Sequence, residues 1–450
     1  MAPLGWLGIM RLGLVQTALG AIVVLTTATI NRVMVVELAL PAMLPGALVG
    51  LHYAVQVMRP LWGHGADRGG RLTPWIIGGM AALALGGFGA ALALPVMQAH
   101  FISGLMLAIL AFLLIGIGVG ASGTSLLVLI SKRVVDERRA AAATLVWVMM
   151  IMGFILTAGL AGHFLEPFSL ERLVTVSGSV SGIAFSVTLL AVRGMEGASR
   201  DASQITPAQT DQSAPQQGFI AALREVWDEP QARLFAIFIF VSMMAYSAQD
   251  LILEPFAGAV FGFTPGQSTK LAGVQHGGVL LGMVLAGGLS TRLGISVAAA
   301  TRLFTVGGCL ASALVLIGLV GAALLGPDMP FRPLVFALGV ANGAFAASAI
   351  GAMMRLVNAG HEKREGVRMG LWGAAQGVAF GLGGFCGAAA ADIARALIAS
   401  PVMAYAAVFI GEAALFLLSA LLAERVARQA GGAAKPSPEA VLPPALLAQS

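Results

Sequence analysis

Long apolar stretches separated by short polar breaks run the length of this chain, and that pattern leaves few folds open. Reading the runs between charged or turn-rich breaks predicts twelve spans. They fall at about 12–36, 43–62, 74–96, 101–130, 141–163, 173–192, 232–253, 270–290, 303–326, 332–356, 367–391 and 401–423. A helix needs about 20 apolar residues to cross a bilayer. Only 10% of the 450 residues are charged, against roughly 25% in soluble domains. Mean hydropathy is +0.89. A soluble core of this size could not hide so much apolar surface, whereas lipid can. The fold class expected is therefore an all-α membrane protein.

The 58 glycines suit a tightly packed bundle, because small residues let helix backbones approach in a membrane. Cys309 and Cys386 both fall in apolar runs and read as buried small hydrophobes, with neither a disulfide nor a metal site expected. The first residues, Met1 to Arg11, lack the pattern of a cleavable signal peptide. The first span is expected to act as its own insertion signal.

Charge sets the expected orientation. With both termini cytoplasmic, every basic residue falls inside except Arg32, Arg172, Lys270, Arg332 and Arg395. This positive-inside asymmetry supports an even number of spans. It also accounts for a pI of about 9.7 without invoking nucleic acid, since the basic residues are spread over many short loops.

The expected organisation is a first six-helix half at 1–193, a cytoplasmic linker at 194–231, a second six-helix half at 232–428 and a disordered tail at 429–450. The linker is rich in Ser, Gln, Asp and Pro and reads as flexible. Within it Phe219, Ile220, Leu223, Val226 and Trp227 recur at helical spacing, which suggests a short helix lying on the inner membrane surface.

The halves look duplicated. A shift of 224 residues maps Pro41 onto Pro265, His52 onto His276, Gly63 onto Gly287, Arg68 onto Arg292 and Gly70 onto Gly294. A shift of 225 maps Arg139 onto Arg364 and Trp147 onto Trp372. Parallel six-span repeats with a ligand cavity between them characterise the major facilitator architecture. The loop after span 2, Gly63-His-Gly-Ala-Asp67-Arg68-Gly-Gly70-Arg71, resembles the conformational latch of that superfamily. Glycine permits the turn, Asp67 can pair with arginine or cap a helix, and Arg68 and Arg71 can meet helix ends or lipid phosphates. The second copy, Gly287-Gly-Leu-Ser-Thr291-Arg292-Leu-Gly294, has lost the aspartate.

Ionisable groups at membrane depth are costly and therefore functional candidates. Arg32 and Glu37 end span 1, and Asp250 and Glu254 end its counterpart, span 7. These four either form a cavity or gate, with Arg32 pairing to Asp250 or Glu254, or cap helix ends in solvent. Proton coupling through Glu37, Asp250 or Glu254 is a further option. His52 and His276 occupy equivalent mid-span positions. Each can hydrogen-bond between helices, shuttle protons or ligate a metal centre such as the magnesium of a chlorin. Gln376 sits in a glycine-rich stretch of span 11 that either seats a flat partner or serves tight helix packing alone. The chain has no P-loop, nucleophile elbow, HExxH or dinucleotide fingerprint, so an enzyme reading has no positive support.

Three segments carry a family resemblance: Asn31-Arg-Val-Met-Val-Val-Glu-Leu38, Tyr246-Ser-Ala-Gln-Asp-Leu-Ile-Leu-Glu-Pro-Phe-Ala-Gly258 with Thr269-Lys-Leu271, and Trp372-Gly-Ala-Ala-Gln-Gly-Val-Ala-Phe-Gly-Leu-Gly-Gly384. Together they resemble the PucC/LhaA proteins, the bacteriochlorophyll delivery branch of the major facilitator superfamily. The likeness runs from about Arg11 to Arg425. It implies a twelve-helix major facilitator fold in a bacterial inner, intracytoplasmic membrane. It implies bacteriochlorophyll or a precursor as cargo, with pigment-synthesis enzymes or light-harvesting and reaction-centre polypeptides as partners. The light-harvesting assembly members carry a longer, basic loop between spans 2 and 3. The short Gly63–Arg71 turn points instead to the branch encoded among the pigment-synthesis genes. Two other functions stay open: a proton-coupled secondary transporter of a small amphiphile, and a ligand-free assembly scaffold using span 11 and the helix at 219–229.

Overall fold

The computed structural model describes residues 4–56, 71–196, 224, 226–292, 296–326, 329–357 and 365–433. Among them are twelve main helices and no strand. We label these α1 (Trp6–Val24, continued by π-helical turns to Glu37), α2 (Met43–Gln56), α3 (Thr73–Ala99), α4 (Phe101–Arg133), α5 (Asp136–Phe164) and α6 (Leu170–Val192). The second half holds α7 (Pro230–Phe261), α8 (Pro265–Arg292), α9 (Val297–Leu325), α10 (Phe331–Val357), α11 (Glu365–Leu397) and α12 (Pro401–Ala433). Eleven are long and apolar enough to cross a membrane. The described part of α2 stops at Gln56, and the rest of its expected span, 57–62, lies outside the described residues. Both bounds of α1 with its π continuation, Trp6 and Glu37, shifted by 224 give the bounds of α7, Pro230 and Phe261. This is the major facilitator fold.

Local chemistry sets the helix ends. Ser169 and Ser296 begin α6 and α9, their hydroxyls accepting from the N–H groups of Arg172 (3.1 Å) and Ala299 (3.2 Å). Gly262 ends α7 with φ 66°, in the left-handed region. Arg11 lies inside α1 and donates to the carbonyls of Leu190 (3.1 Å) and Arg193 (2.9 Å) at the end of α6. Those are acceptors that a helix C-terminus leaves open.

Each half builds its own apolar core. One gathers residues from Ile9 to Met195, joined by Leu251 of α7, and the other from Val226 to Val426. The halves meet where α2 packs on α11 and α5 packs on α8. Within the second half α8 and α10 approach to backbone contact. A methyl placed on Gly282 or Gly343 would run into the carbonyl of Val340 or Val279 on the partner helix. Lipid offers no apolar driving force between helices, so close packing of this kind supplies much of their adhesion.

We call the end carrying the start of α1 and the end of α12 proximal, and the opposite end distal. Arg302 and Glu424 pair at the proximal end, at 2.5 Å. Arg32, Arg172, Lys270, Arg332 and Arg395, the basic residues set apart by the charge count, lie at the distal ends of their helices or in the adjoining turns.

Several expectations need correction. α7 continues past 253, through Pro255, to Phe261, so Asp250 and Glu254 lie inside a helix and not at its end. α12 runs on to Ala433, into the stretch expected to be a tail. Cys386 is exposed on α11, whereas Cys309 is buried. Gly63, Asp67, Arg68 and Gly70 fall outside the described residues, as do 197–223 and 225 of the linker. Arg71 is exposed just before α3, and Arg292 is the last residue of α8. Of the surface helix, Val226–Asp228 is helical, with Val226 buried and Trp227 exposed.

The start of the linker is anchored. Met195 is buried, and its carbonyl accepts from Arg133 at 2.9 Å. The Glu196 carboxylate accepts from the backbone N–H groups of Leu72 and Thr73, the latter at 2.9 Å. It thereby caps the N-terminus of α3 from a distant part of the chain. Burial alone would raise its pKa. Hydrogen bonds from Thr73 and Leu72, with the charge of Arg71, outweigh that and hold the carboxyl below its usual value.

Two predictions follow from these contacts. Gly343→Ala and Gly282→Ala each destabilise by about 1–3 kcal/mol through overpacking, whereas Gly321→Ala, with open space around it, changes stability by less than about 0.5 kcal/mol. Thermal unfolding in detergent measures both. Glu196→Gln costs about 0.5–1 kcal/mol as a lost cap. Because the folded carboxyl titrates low, this contribution is present above the unfolded pKa of about 4.3 and fades as pH falls through the lower folded value. The parent and the variant therefore converge in stability at acid pH.

Candidate functional site

The distal end of α1 departs from α-helix. Leu25–Ile30 and Val33–Glu37 are π-helical turns, a wider winding often found where a helix does something other than pack. The winding brings residues five apart onto one face, and Arg32 pairs with Glu37 at 2.5 Å. Its other terminal nitrogen donates to the carbonyl of Phe263, across the halves, at 2.6 Å. Gly258 makes room, since a methyl there would sit 2.9 Å from the Arg32 guanidinium. Arg32 is 2% exposed and Glu37 faces solvent.

Asn31 beside it has a distinct task. Pro255 lacks an N–H, so the carbonyl four residues earlier, at Leu251, loses its helical partner. Asn31 donates to that carbonyl at 2.8 Å. Thr29 and Thr269 are 2.9 Å apart across the same boundary. Further links join the distal ends. Glu166 meets Lys270 at 3.5 Å and Thr264 at 3.3 Å. Asp392, itself paired with Arg395, accepts from the N–H groups of Ala42 (2.9 Å) and Met43 (2.7 Å).

The expected pairing of Arg32 with Asp250 or Glu254 is thus corrected: its partner is Glu37, because the π-helical winding turns both residues to one side. The solvated-cap alternative fits Glu37 and not Glu254. Glu254 is 3% exposed, and neither carboxylate oxygen has a hydrogen-bond partner among the described residues. The charge of Arg32 still reaches it.

Deeper in the bundle a second group converges from both halves. Tyr246, Asp250 and Glu254 recur every four residues along one face of α7. Asp250 is half-buried and accepts from Gln275 of α8 at 3.1 Å. The Tyr246 ring lies 5.9 Å from Phe380 of α11, which stacks on Tyr53 of α2 at 5.5 Å. Gln376, half-buried, is one turn from Phe380. The glycine stretch beyond is already occupied. Gly383, Gly384 and Gly387 press against Met244, Leu251 and Ala248 of α7, and Gly381 against Tyr53. Those glycines serve helix packing, whereas Gly373 and Gly377, on either side of Gln376, have open space around them.

The histidines are equivalent by repeat but are not brought together. His52 is buried, 2.8 Å from Gln56 through Nε2 and edge-on to Tyr53 at 4.7 Å. His276 contacts the Ala272 carbonyl through Nδ1 at 2.8 Å and lies edge-on to Phe154 of α5 at 4.7 Å. A carbonyl only accepts, so Nδ1 of His276 carries the proton and Nε2 keeps its lone pair.

Sequence reading missed two residues. Glu412 of α12 is 3% exposed, with both oxygens unpartnered, and Asp250 is the charge that acts on it. Gln249 is wholly buried with both amide atoms unpartnered. A lone acid inside the apolar run 401–423 was the available signal for Glu412. A cavity of about 340 Å³ lined by Arg71, Thr73, Leu189, Arg193 and Glu196 lies at the proximal end, away from these groups.

The architecture has close parallels. The peptide transporter POT in complex with sulfate superposes with a TM-score of 0.69 at 14% identity, covering 96% of this chain and 97% of that one. The nucleoside transporter NupG gives 0.62 at 13%, covering 93% and 98%. By sequence, the chain is 50% identical over 434 residues to the "Bacteriochlorophyll synthase 44.5 kDa chain" of Rhodobacter capsulatus, covering 96% of this chain and 98% of that protein. It is 29% identical to "Protein PucC" of Cereibacter sphaeroides, covering 92% and 90%. The PUCC protein family matches residues 29–431. The chain belongs to the PUCC protein family.

Proposed function

We propose that this protein binds bacteriochlorophyll or a precursor inside the membrane and hands it on to photosynthetic complexes or assists their assembly. The observation that carries this reading is the 50% identity, over almost the whole of both chains, to a relative named for bacteriochlorophyll synthesis. That name contains the word synthase, but the fold is one of solute carriers, which favours handling of pigment over making it. Pigment-synthesis enzymes or light-harvesting and reaction-centre polypeptides are then the natural partners. The basic residues gathered at the proximal side favour cytoplasmic termini in an inner membrane.

Of the two histidines, His276 is the better candidate to ligate a chlorin magnesium. A ring whose Nδ1–H is fixed by a carbonyl presents Nε2 in a set direction, the usual arrangement of metal-binding histidine. His52 has its Nε2 engaged by Gln56. Tyr53, Tyr246 and Phe380 offer flat apolar surface near the same level, and Gln376 a polar contact.

The test is the absorbance of protein purified from pigmented membranes. Chlorin absorbance is expected in the parent, with affinity reduced about 10–100-fold in His276→Ala and less than twofold in His52→Ala. A colourless parent preparation would remove the reading. A colourless His52→Ala beside an unchanged His276→Ala would reverse the assignment.

A second reading, secondary transport of a small amphiphile across the bilayer, is favoured by the cross-half hydrogen bonds at the distal end. On that reading the distal closure opens and shuts. Asn31→Ala leaves the Leu251 carbonyl without its partner, at a cost of about 1–3 kcal/mol, and loosens the closure. Faster alkylation of a cysteine introduced at Thr29 is the expected outcome, and an unchanged rate would mean that the contact does not hold that end shut.

A further inference from the structure

The cavity at the proximal end has no part in either reading, and its lining is of two kinds. Arg71 stands just before α3 and Arg193 just after α6, so each helix brings one exposed guanidinium to a space of about 340 Å³. Neither side chain makes a hydrogen bond or an ion pair among the described residues. Ile77, Leu189 and Val192 form the apolar part of the lining. Glu196 is the one carboxylate there, and its oxygens already accept from the N–H groups of Leu72 and Thr73. Arg11 sets a third positive charge at the edge, held by the carbonyls of Leu190 and Arg193. The balance calls for an anion.

The apolar side does not end at the cavity. Ile77, Ala81, Ala84 and Phe88 follow one another on one face of α3, and Leu189, Phe185, Gly182 and Gly178 on one face of α6. The two helices are antiparallel neighbours. Ile77 and Leu189 meet at the cavity, and Phe88 meets Gly178, where a methyl would sit 3.1 Å from the ring. Both contacts give the same register, and that register sets Ala84 opposite Gly182. Two such small residues leave a gap: no atom lies within 4 Å of a methyl placed on Gly182. A shallow apolar groove therefore leads from the cavity toward the bilayer centre, and Phe88 closes it. Ile77 to Phe88 is a rise of about 16 Å at 1.5 Å per residue, close to one leaflet's share of a hydrocarbon core about 30 Å thick. Leu189 and Leu190 are exposed on α6 beside it, so the groove opens to lipid.

We propose that this cavity and groove bind one anionic phospholipid, with the phosphodiester between Arg71 and Arg193 and an acyl chain lying between α3 and α6 as far as Phe88. Guanidinium groups suit phosphate oxygens in geometry and charge. A basic pocket between transmembrane helices at headgroup level is a recognised seat for such a lipid. A soluble anion would use the arginines and have no use for the groove. The occupied site ties the start of α3 to the end of α6, at the root of the linker, and it stands or falls independently of any pigment.

Native mass spectrometry of the full chain, released from nanodiscs of equal phosphatidylglycerol and phosphatidylcholine, tests this. The parent is expected to retain one phosphatidylglycerol in preference to phosphatidylcholine. Arg71→Gln with Arg193→Gln lowers that retention about tenfold or more. Gly182→Leu, which fills the groove and leaves every charge in place, lowers it about threefold or more. Arg425→Gln, an exposed arginine at the proximal end of α12, changes it less than twofold. Glycerol 1-phosphate in excess does not displace the lipid. Equal retention of the two lipids by the parent would show that there is no anionic site. An equal loss in Arg425→Gln would show diffuse attraction to a basic surface. Displacement by glycerol 1-phosphate, with Gly182→Leu unchanged, would show a pocket for free phosphate. Each of these three results overturns the proposal.

Discussion

A guanidinium that is 2% exposed within a bundle of apolar helices must have its charge and its donors met by the protein. Arg32 meets most of that demand by drawing three elements together, and of its nitrogens Nε is left without a hydrogen-bond partner among the described residues. Glu37 supplies the countercharge, the left-handed turn at Gly262 brings the Phe263 carbonyl within reach, and Gly258 supplies the space. The π-helical turns of α1 are what make the arrangement possible, because residues five apart diverge in an α-helix and converge in a π-helix. Asn31, the residue before it, completes α7 where Pro255 opens it. The distal joint between the halves therefore rests on paired departures from regular helix, one on each side.

The bundle was legible in the sequence for a simple reason. In lipid each span must satisfy its own backbone, so length and apolarity alone mark the helices. Twelve runs yield twelve helices, and the shift of 224 carries the bounds of α1 onto those of α7. The misplaced end of α7 has an equally plain cause. Asp250, Glu254 and Pro255 are stop signals in a helix read by itself. Asp250 and Pro255 cease to be so when Gln275 meets the carboxylate and Asn31 meets the freed Leu251 carbonyl. The pairing of Arg32 was missed because a spacing of five carries no meaning until the winding is known. Glu412 is a different case: a single acid within the apolar run 401–423 marks the position, but nothing in the run itself says which helices close around it.

Close packing and polar chemistry divide the glycine-rich surfaces between them. Where α8 meets α10, and where α11 meets α7, glycine brings backbones into contact and leaves no room for a ligand. Where α2, α7, α8 and α11 converge, the side chains are instead Tyr53, Tyr246, Asp250, Gln275 and Phe380, which keep the helices apart and carry the hydrogen-bonding groups. The same helices thus hold the second half rigid on one face and furnish a polar, aromatic boundary on another.

Duplication explains why His52 and His276 are equivalent in position, and the surroundings explain why they are not equivalent in chemistry. One turn on from His52 lies Gln56, whose side chain meets Nε2 of the ring. One turn before His276 lies Ala272, whose methyl cannot hydrogen-bond, so the backbone carbonyl accepts from Nδ1, and the ring lies edge-on to Phe154 of α5. A duplicated scaffold hands the same residue to both halves. Its neighbours one helical turn away then decide which ring nitrogen is engaged, Nε2 by Gln56 in the first half and Nδ1 by the Ala272 carbonyl in the second.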